Sequence, residues 1–535
     1  KSNRPSIRPP TTCLTPLPAT TTTAAMATTA AAAAAEEHVR IVNFIGGKLV
    51  EPKCGKYIDN ICPATGQVFG SVADSDGDDV DAAVAAAKAA AGAWAAKSVM
   101  QRSATLMKIA DLVDERAEQL AAAESKDNGK PVWLSTAVDV PRVAQNFRFY
   151  ATAILHEEGM SSHLDDSTIA YTRSGPVGVC GLISPWNLPL YLLSWKIAPA
   201  IAVGNTCVCK PSEFTSLTAF LLCDILNDAG VPPGVVNMVF GVGARAGAAL
   251  VSHADVPLIS FTGGTVTGAK IATLSAPHFK KVSLELGGKN PNIIFADADL
   301  DACLETTLKS SFANQGQICL CGSRILVQSS IYDRFVERFV EATKAITVGN
   351  PNEDNRMGAL ISQQHLEKVS GWVDRARELG ATVLCGGERP AITDDQYKNG
   401  FYYLPTIIGN LSVCADPARE EIFGPVVTVH KFDTESEVVA AANDNKYGLS
   451  ATVWTSDVSR AHRVAHALHA GTVWINCWLV RDLRTPFGGW KHSGVGREGG
   501  KFALEFYQEQ RAVVTKIAPL VESGGGGGAA AAAAA

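Results

Sequence analysis

The chain contains no Cys-x-x-Cys pair. Its 13 cysteines are scattered and odd in number, and the closest are Cys207/Cys209 and Cys319/Cys321. A disulfide scaffold or a structural zinc site needs clustered, regularly spaced ligands, so neither is expected, and no metal is assigned. The spacing fits a reducing compartment instead. A membrane-length apolar run is missing as well. The longest candidate, Leu182 to Gly204, holds Asn187, Lys196 and the prolines Pro185, Pro189 and Pro199, which a lipid-facing helix would not carry. It reads as a buried segment near a site. There is no dense Lys/Arg stripe, and the formal net charge is -6. Nucleic acid and anionic membranes are therefore not expected partners.

Lys1 to Ala35 lacks Asp and Glu and is rich in Thr, Ala and Pro, with Arg4 and Arg8. Two readings stand side by side: an organelle transit peptide, or an extension upstream of a start at Met26. The first places the protein in a mitochondrion or plastid, the second in the cytoplasm. Gly524–Gly528 followed by poly-Ala is low in complexity and is expected to be disordered.

What remains suits a soluble globular protein: of 535 residues, 47% are hydrophobic and 19% charged. That length exceeds one ordinary core, so two or three domains are expected. A hairpin-like stretch at Val42–Glu51 precedes alanine-rich helices at Asp79–Lys97 and Arg102–Ser125. Asp139-Val140-Pro141 reads as the start of a helix running to Leu155, because proline is tolerated in a first turn.

From Val177 onward short apolar runs alternate with helical patterns. Strands are predicted at Val177–Ile183, Thr206–Cys209, Val235–Phe240, Pro257–Phe261 and Val282–Leu286. Such alternation means βαβ units and a parallel sheet covered on both faces, hence an α/β fold. A second α/β region starts at Pro291–Ile294 and includes strand-like Arg324–Gln328, Val426–His430, Thr452–Trp454 and Thr472–Asn476.

Ligands of open parallel sheets bind beyond the carboxyl ends of the strands. The five corners there read Pro185-Trp186-Asn187, Lys210-Pro211-Ser212-Glu213, Gly241-Val242-Gly243, Thr262-Gly263-Gly264-Thr265 and Glu285-Leu286-Gly287-Gly288. Five polar or glycine-rich corners in succession point to a nucleotide site. The fourth lacks G-x-G-x-x-G, although Gly263, Gly264 and Gly268 would still let backbone approach a pyrophosphate at a helix N-terminus. A plain strand-to-helix turn accounts for those glycines equally well.

The ordered motifs SPWNLPL (184–190), CKPSE (209–213), FTGGTVTG (261–268), LELGGKNP (284–291), FANQGQIC (312–319), EEIFGPV (420–426) and PFGGWKHSG (486–494) resemble the aldehyde dehydrogenase superfamily, from Ile41 to Lys516. The resemblance implies a Rossmann-like NAD domain (39–155 and 177–287) and an α/β catalytic domain (288–490). It also implies a small β oligomerisation element (156–176 and 491–519), built from a hairpin at about Glu158–Ser174 and a strand at about Ala503–Ile517 of a homodimer or homotetramer. It makes Cys319 the nucleophile, a role that needs a thiolate able to add to a carbonyl and leave again. Cys321 is then a structural neighbour able to form an off-path disulfide. Asn187, with the backbone N–H of Cys319, would stabilise the oxyanion. Glu285 would activate the hydrolytic water; members that hand the acyl group to coenzyme A lack a glutamate here, so free acid is the implied product. Lys210 and Glu213 match ligands of the adenosine ribose, which favours NAD over NADP. Trp186, Glu421 and Phe423 complete the cofactor set, the last two at the nicotinamide end. Many relatives carry serine where Gly264 stands.

The runs PRVAQNFRF (141–149), ISPWNLPLYLLSWKIAPA (183–200), SSFANQGQICLC (310–321) and NCWLVRDLRTPFGG (476–489) resemble the branch of 2-aminomuconic and 2-hydroxymuconic semialdehyde dehydrogenases. Substrates of that branch carry a carboxylate far from the aldehyde. By similarity Arg142 and Arg481 would grip it, since a guanidinium holds a carboxylate through two bonds. Arg484, Arg148 and Lys196 are weaker candidates. Trp195, Leu188 and Phe487 would line an apolar tunnel. A broad-specificity aldehyde dehydrogenase and a catalytically silent scaffold are the alternatives.

Overall fold

The computed structural model describes residues 38–517. The expectations for the acid-poor N-terminal segment and the Gly/Ala tail lie outside the described residues.

An eight-stranded sheet runs in the order Gly494–Val495, Lys281–Glu285, Leu258–Thr262, Val179–Ile183, Thr206–Lys210, Val236–Met238, Asn43–Ile45, Lys48–Val50. Its five central strands are parallel and are the five expected from the sequence. Nearly all their residues are buried, as continuous apolar runs covered on both faces should be. The chain order reverses between Val179–Ile183 and Leu258–Thr262, the switch point at which such sheets bind ligands. Register gathers the corners there: Ile183 lies opposite Lys210 and Phe261, and Thr262 lies opposite Glu285.

A seven-stranded sheet contains Pro291–Ile294, Arg324–Gln328, Val426–Phe432, Ser450–Trp454 and Thr472–Ile475, all parallel, with Thr406–Gly409 extending it and Thr382–Cys385 antiparallel at one edge. The hairpin Ser161–Asp165/Thr168–Pro176 pairs along its second strand with Gln508–Lys516 as a separate three-stranded sheet. That last strand begins later than expected. Gly500–Phe506 is helical, so Ala503 belongs to a helix.

The helices sharpen the sequence reading at two places. Arg102–Ser125 is two helices, Val99–Glu115 and Ala117–Asn128, broken at Arg116, whose ψ of 18° leaves the helical region. The first opens with a capping box in which Ser98 and Gln101 satisfy each other's backbone N–H groups. The second correction concerns Asp139. It has helical φ/ψ and caps nothing; it ends a π-helical turn, Ser135–Asp139, that feeds into the helix Val140–Ala153. An extra residue in the turn accommodates Pro141, which lacks an N–H for the ladder. The side chain of Asp139 goes elsewhere, as described below. Among the described residues no helix is long and apolar enough to cross a membrane.

Candidate active site

Two recesses meet at the carboxyl ends of the central strands. The first, about 630 Å³, is lined by the corners after the first four strands, including Trp186, Lys210, Glu213, Gly263 and Gly264. Lys210 Nζ donates to Glu213 Oε2 at 2.9 Å. Burial works to raise the Glu213 carboxyl, but the Lys210 charge and hydrogen bond, with the backbone N–H of Gly243, hold it below its ordinary value. The helix Thr265–Ser275 starts at Gly264 without a side-chain cap, so its first N–H groups have no side-chain partner there, and Gly263, Gly264 and Thr267 line this recess. A Cβ on Gly264 would meet nothing within 4 Å, leaving room for the serine of many relatives. Gly268 lies off the wall of this recess: a Cβ there would come 2.5 Å from Leu286, so its smallness serves packing of helix on strand.

The second recess, about 410 Å³, shares Thr262 with the first. Asn187, Glu285 and Cys319 all line it, as do Arg142, Leu188, Trp195, Arg481 and Phe487. The three residues expected to do the chemistry and the five leading substrate candidates thus line a single cavity.

Cys319 follows a turn in which Asn314 and Gln315 both adopt left-handed backbone, and Gly316 continues it at φ 68°. A Cβ on Gly316 would sit 2.2 Å from Gly424 O. Cys319 keeps partial exposure to the cavity, but protein surrounds it otherwise. Burial, then the Glu421 and Glu285 carboxylates, push its thiol well above the ordinary cysteine range. Asn187 Nδ2 donates one hydrogen to Gln317 O at 2.8 Å, which leaves its second hydrogen available. Neither carboxylate oxygen of Glu285 has a hydrogen-bond partner among the described residues. Burial pushes this carboxyl far up, the neighbouring Glu498 adds to the rise, and Lys196, Arg481 and Arg497 oppose it.

Trp186, on the wall of the first recess, meets Phe423 edge-on at 5.2 Å, and His365 packs at 5.2 Å from the same indole; Phe423 and Glu421 themselves line neither recess. Phe423 has φ 62°, and its carbonyl accepts from His365 Nε2 at 2.7 Å. Burial lowers His365 to about 4, so the ring is neutral. Glu421 Oε1 accepts from the N–H of Gly288 at 3.0 Å, while burial raises its carboxyl to about 6.

The weaker arginine candidates fall away from the cavity. Arg148 pairs with Asp111 and Asp114, and Arg484 pairs with Asp482 at the surface. Lys196 is fully buried and donates to Glu498 Oε1 and Ser260 Oγ, both at 2.9 Å. Sequence reasoning missed His365, Tyr191 and Glu498. Lys196 was the one available signal for Glu498, since a charge inside an apolar helix requires a buried partner.

Fold and cavity define a class: an α/β enzyme with a reactive-residue cluster at the switch point of a doubly wound sheet. A family model described as the aldehyde dehydrogenase family matches residues 49–513, and the chain belongs to that family. It is 55% identical over 483 residues to a 2-aminomuconic semialdehyde dehydrogenase of Danio rerio, covering 90% of this chain and 99% of the relative. It is 45% identical to a 2-hydroxymuconic semialdehyde dehydrogenase of Pseudomonas sp. (strain CF600), over 89% and 99% of the two chains. Among solved structures, the NAD+ complex of an aldehyde dehydrogenase from Bacillus cereus superposes with a TM-score of 0.87 at 40% identity, covering 90% of this chain and 97% of the other.

Proposed function

We propose that the chain oxidises an aldehyde bearing a distal carboxylate, of the 2-aminomuconic or 2-hydroxymuconic semialdehyde kind, to the free acid with NAD as hydride acceptor. One observation carries the substrate assignment: Arg142 and Arg481 face the cavity of Cys319 and form no ion pair among the described residues. Tyr191 joins them, accepting from Arg481 Nη1 at 3.3 Å while the Arg142 guanidinium lies 5.4 Å from its ring centre. Arg481 also stacks on Phe487 at 3.9 Å. A half-buried guanidinium held by aromatic rings is preorganised for a carboxylate. The first recess supports NAD. It offers free helix N–H groups for phosphate, and Glu213 for ribose hydroxyls, where a 2'-phosphate would be repelled.

In this reading Cys319 Sγ adds to the aldehyde carbon as its proton passes to a water molecule in the cavity, and the free Asn187 amide hydrogen meets the new oxyanion. NAD, when bound, supplies the acceptor for the hydride that departs as the adduct becomes a thioester. Glu285 then takes a proton from water, the water oxygen attacks the thioester carbon, and the C–S bond breaks to release the acid. Burial of both Cys319 and Glu285 disfavours charge on either.

Two further readings accompany this one. The exposed apolar side chains of Tyr171 and Val514 on the three-stranded sheet support a homo-oligomer assembled through it. Every described cysteine is a free thiol, which supports a reducing compartment such as the cytoplasm. The decisive experiment follows NADH formation with 2-hydroxymuconic semialdehyde against hexanal, benzaldehyde and betaine aldehyde. Strong preference for the acidic substrate is expected; equal or better rates with the neutral aldehydes would discard the carboxylate clamp.

A further inference from the structure

Behind the cavity wall, reaching it at Asp139, sits a group of ionisable side chains that the reaction above does not use. Lys130 is fully buried; its Nζ donates to Asp139 Oδ2 at 2.7 Å and lies 3.8 Å from Glu124 Oε1. Its remaining hydrogen bond, at 3.1 Å, goes to the backbone carbonyl of Asn187. Asn314 Nδ2 donates to that same oxygen at 3.0 Å, so both lone pairs of the carbonyl are taken. Asn128 Nδ2 holds the preceding carbonyl, that of Trp186, at 2.8 Å. The Asn187 side chain donates to Gln317 O, one residue before Ile318 and two before Cys319.

The surrounding fold is arranged around this contact. Gly129 ends the helix Ala117–Asn128 at φ 86°, where a Cβ would come within 2.9 Å of Pro63, and the turn aims Lys130 inward. The π-helical turn Ser135–Asp139 brings the Asp139 carboxylate to the ammonium instead of leaving it as a helix cap. A buried ammonium is unfavourable unless paired and hydrogen-bonded. Here each partner of that ammonium is either an acid bracing it or the peptide of Asn187. Packing alone would be served as well by an apolar side chain.

We infer that Lys130 is a positioning residue: braced by Asp139, its ammonium fixes the Asn187 peptide so that the free side-chain amide hydrogen is aimed at the aldehyde oxygen. Lys130 touches neither substrate nor cofactor and acts through Asn187. The inference rests on reading Asn187 as the oxyanion donor. It is independent of which aldehyde is the substrate, so a neutral aldehyde serves the test as well as an acidic one.

The test is a double-mutant cycle on the full chain, comparing wild type, Asn187→Ala, Lys130→Met/Asp139→Asn and the triple variant. Removing the ammonium and the aspartate charge together leaves Glu124 as the one acid of this group without its ion partner, and burial already raises its carboxyl to about 7, so it can take up a proton. kcat is read at saturating aldehyde and NAD, alongside NAD affinity and the melting temperature. The expected result is a kcat about 10- to 100-fold lower in Lys130→Met/Asp139→Asn, with NAD affinity unchanged. The loss should vanish in the Asn187→Ala background, whereas any change in melting temperature persists there. Losses that multiply would overturn the inference, as would wild-type kcat in the charge-neutral pair. Should that pair fail to fold, Asp139→Asn alone loosens the brace and keeps the ammonium; a wild-type kcat in it overturns the inference. If Asn187→Ala itself retains full kcat, it is the oxyanion reading that fails.

Discussion

In the proposed reaction Glu285 works through its ionisation, and burial sets that ionisation. Its carboxyl is buried with no hydrogen-bond partner among the described residues, and that burial, with Glu498 nearby, pushes it far above the ordinary carboxylate range. The form that takes a proton from water is the base form, and a raised pKa moves its appearance to higher pH. The rate of acid release should therefore climb with pH into the neutral-to-alkaline range; a kcat profile already flat from pH 5 would contradict this. Glu285→Gln should still form about one equivalent of NADH per site and then stall at the thioester, seen as a burst in stopped-flow absorbance. Cys319→Ala should form no NADH at all while NAD binding, followed by calorimetry, stays intact. The two variants together separate the step that makes the thioester from the step that breaks it.

At the level of elements, geometry depends on a few backbone conformations. Asn314, Gln315 and Gly316 hold three successive left-handed residues between the helix Leu300–Phe312 and Cys319. Asparagine and glycine adopt that region readily; glutamine does so only under constraint from its surroundings. Gly316→Ala would drive a Cβ into Gly424 O and should destabilise the protein by about 3 kcal/mol, read as a lower melting temperature with loss of turnover. The helix Ala117–Asn128 offers a second case. Asp127 accepts from Leu217 N at 2.7 Å and Asn60 Nδ2 at 2.9 Å, yet burial raises it from 3.8 to about 7. A carboxyl raised in the folded state contributes its full stability below its unfolded pKa, near 4, and loses that contribution as pH rises through 7. Asp127→Asn should therefore flatten the fall in melting temperature between pH 5 and pH 8; an unchanged slope would locate that fall in other groups.

Across the whole molecule, the two sheets bring together residues that no local pattern links. The Arg142→Ala and Arg481→Ala variants should each raise KM for the acidic semialdehyde by about 10-fold or more while leaving a neutral aldehyde unaffected; equal effects on both would assign the arginines to packing. Val514→Lys, on the exposed strand Gln508–Lys516, should lower the oligomeric state measured by sedimentation, and an unchanged state would move the assembly surface elsewhere. The amino-acid sequence alone determined the α/β class and the five central strands, and the resemblance of its motifs to aldehyde dehydrogenases pointed to Cys319, Glu285 and Asn187. Buried parallel strands are continuous apolar runs, and their carboxyl-terminal corners are polar, so both are written locally. Only the tertiary structure decided that Lys196 meets Glu498, 302 residues away, that Lys130 reaches the Asn187 carbonyl, and that Asp139 braces an ammonium instead of capping a helix. Those contacts follow from which helix faces the sheets press together, and a buried charge finds its partner across that packing, where sequence spacing carries no signal.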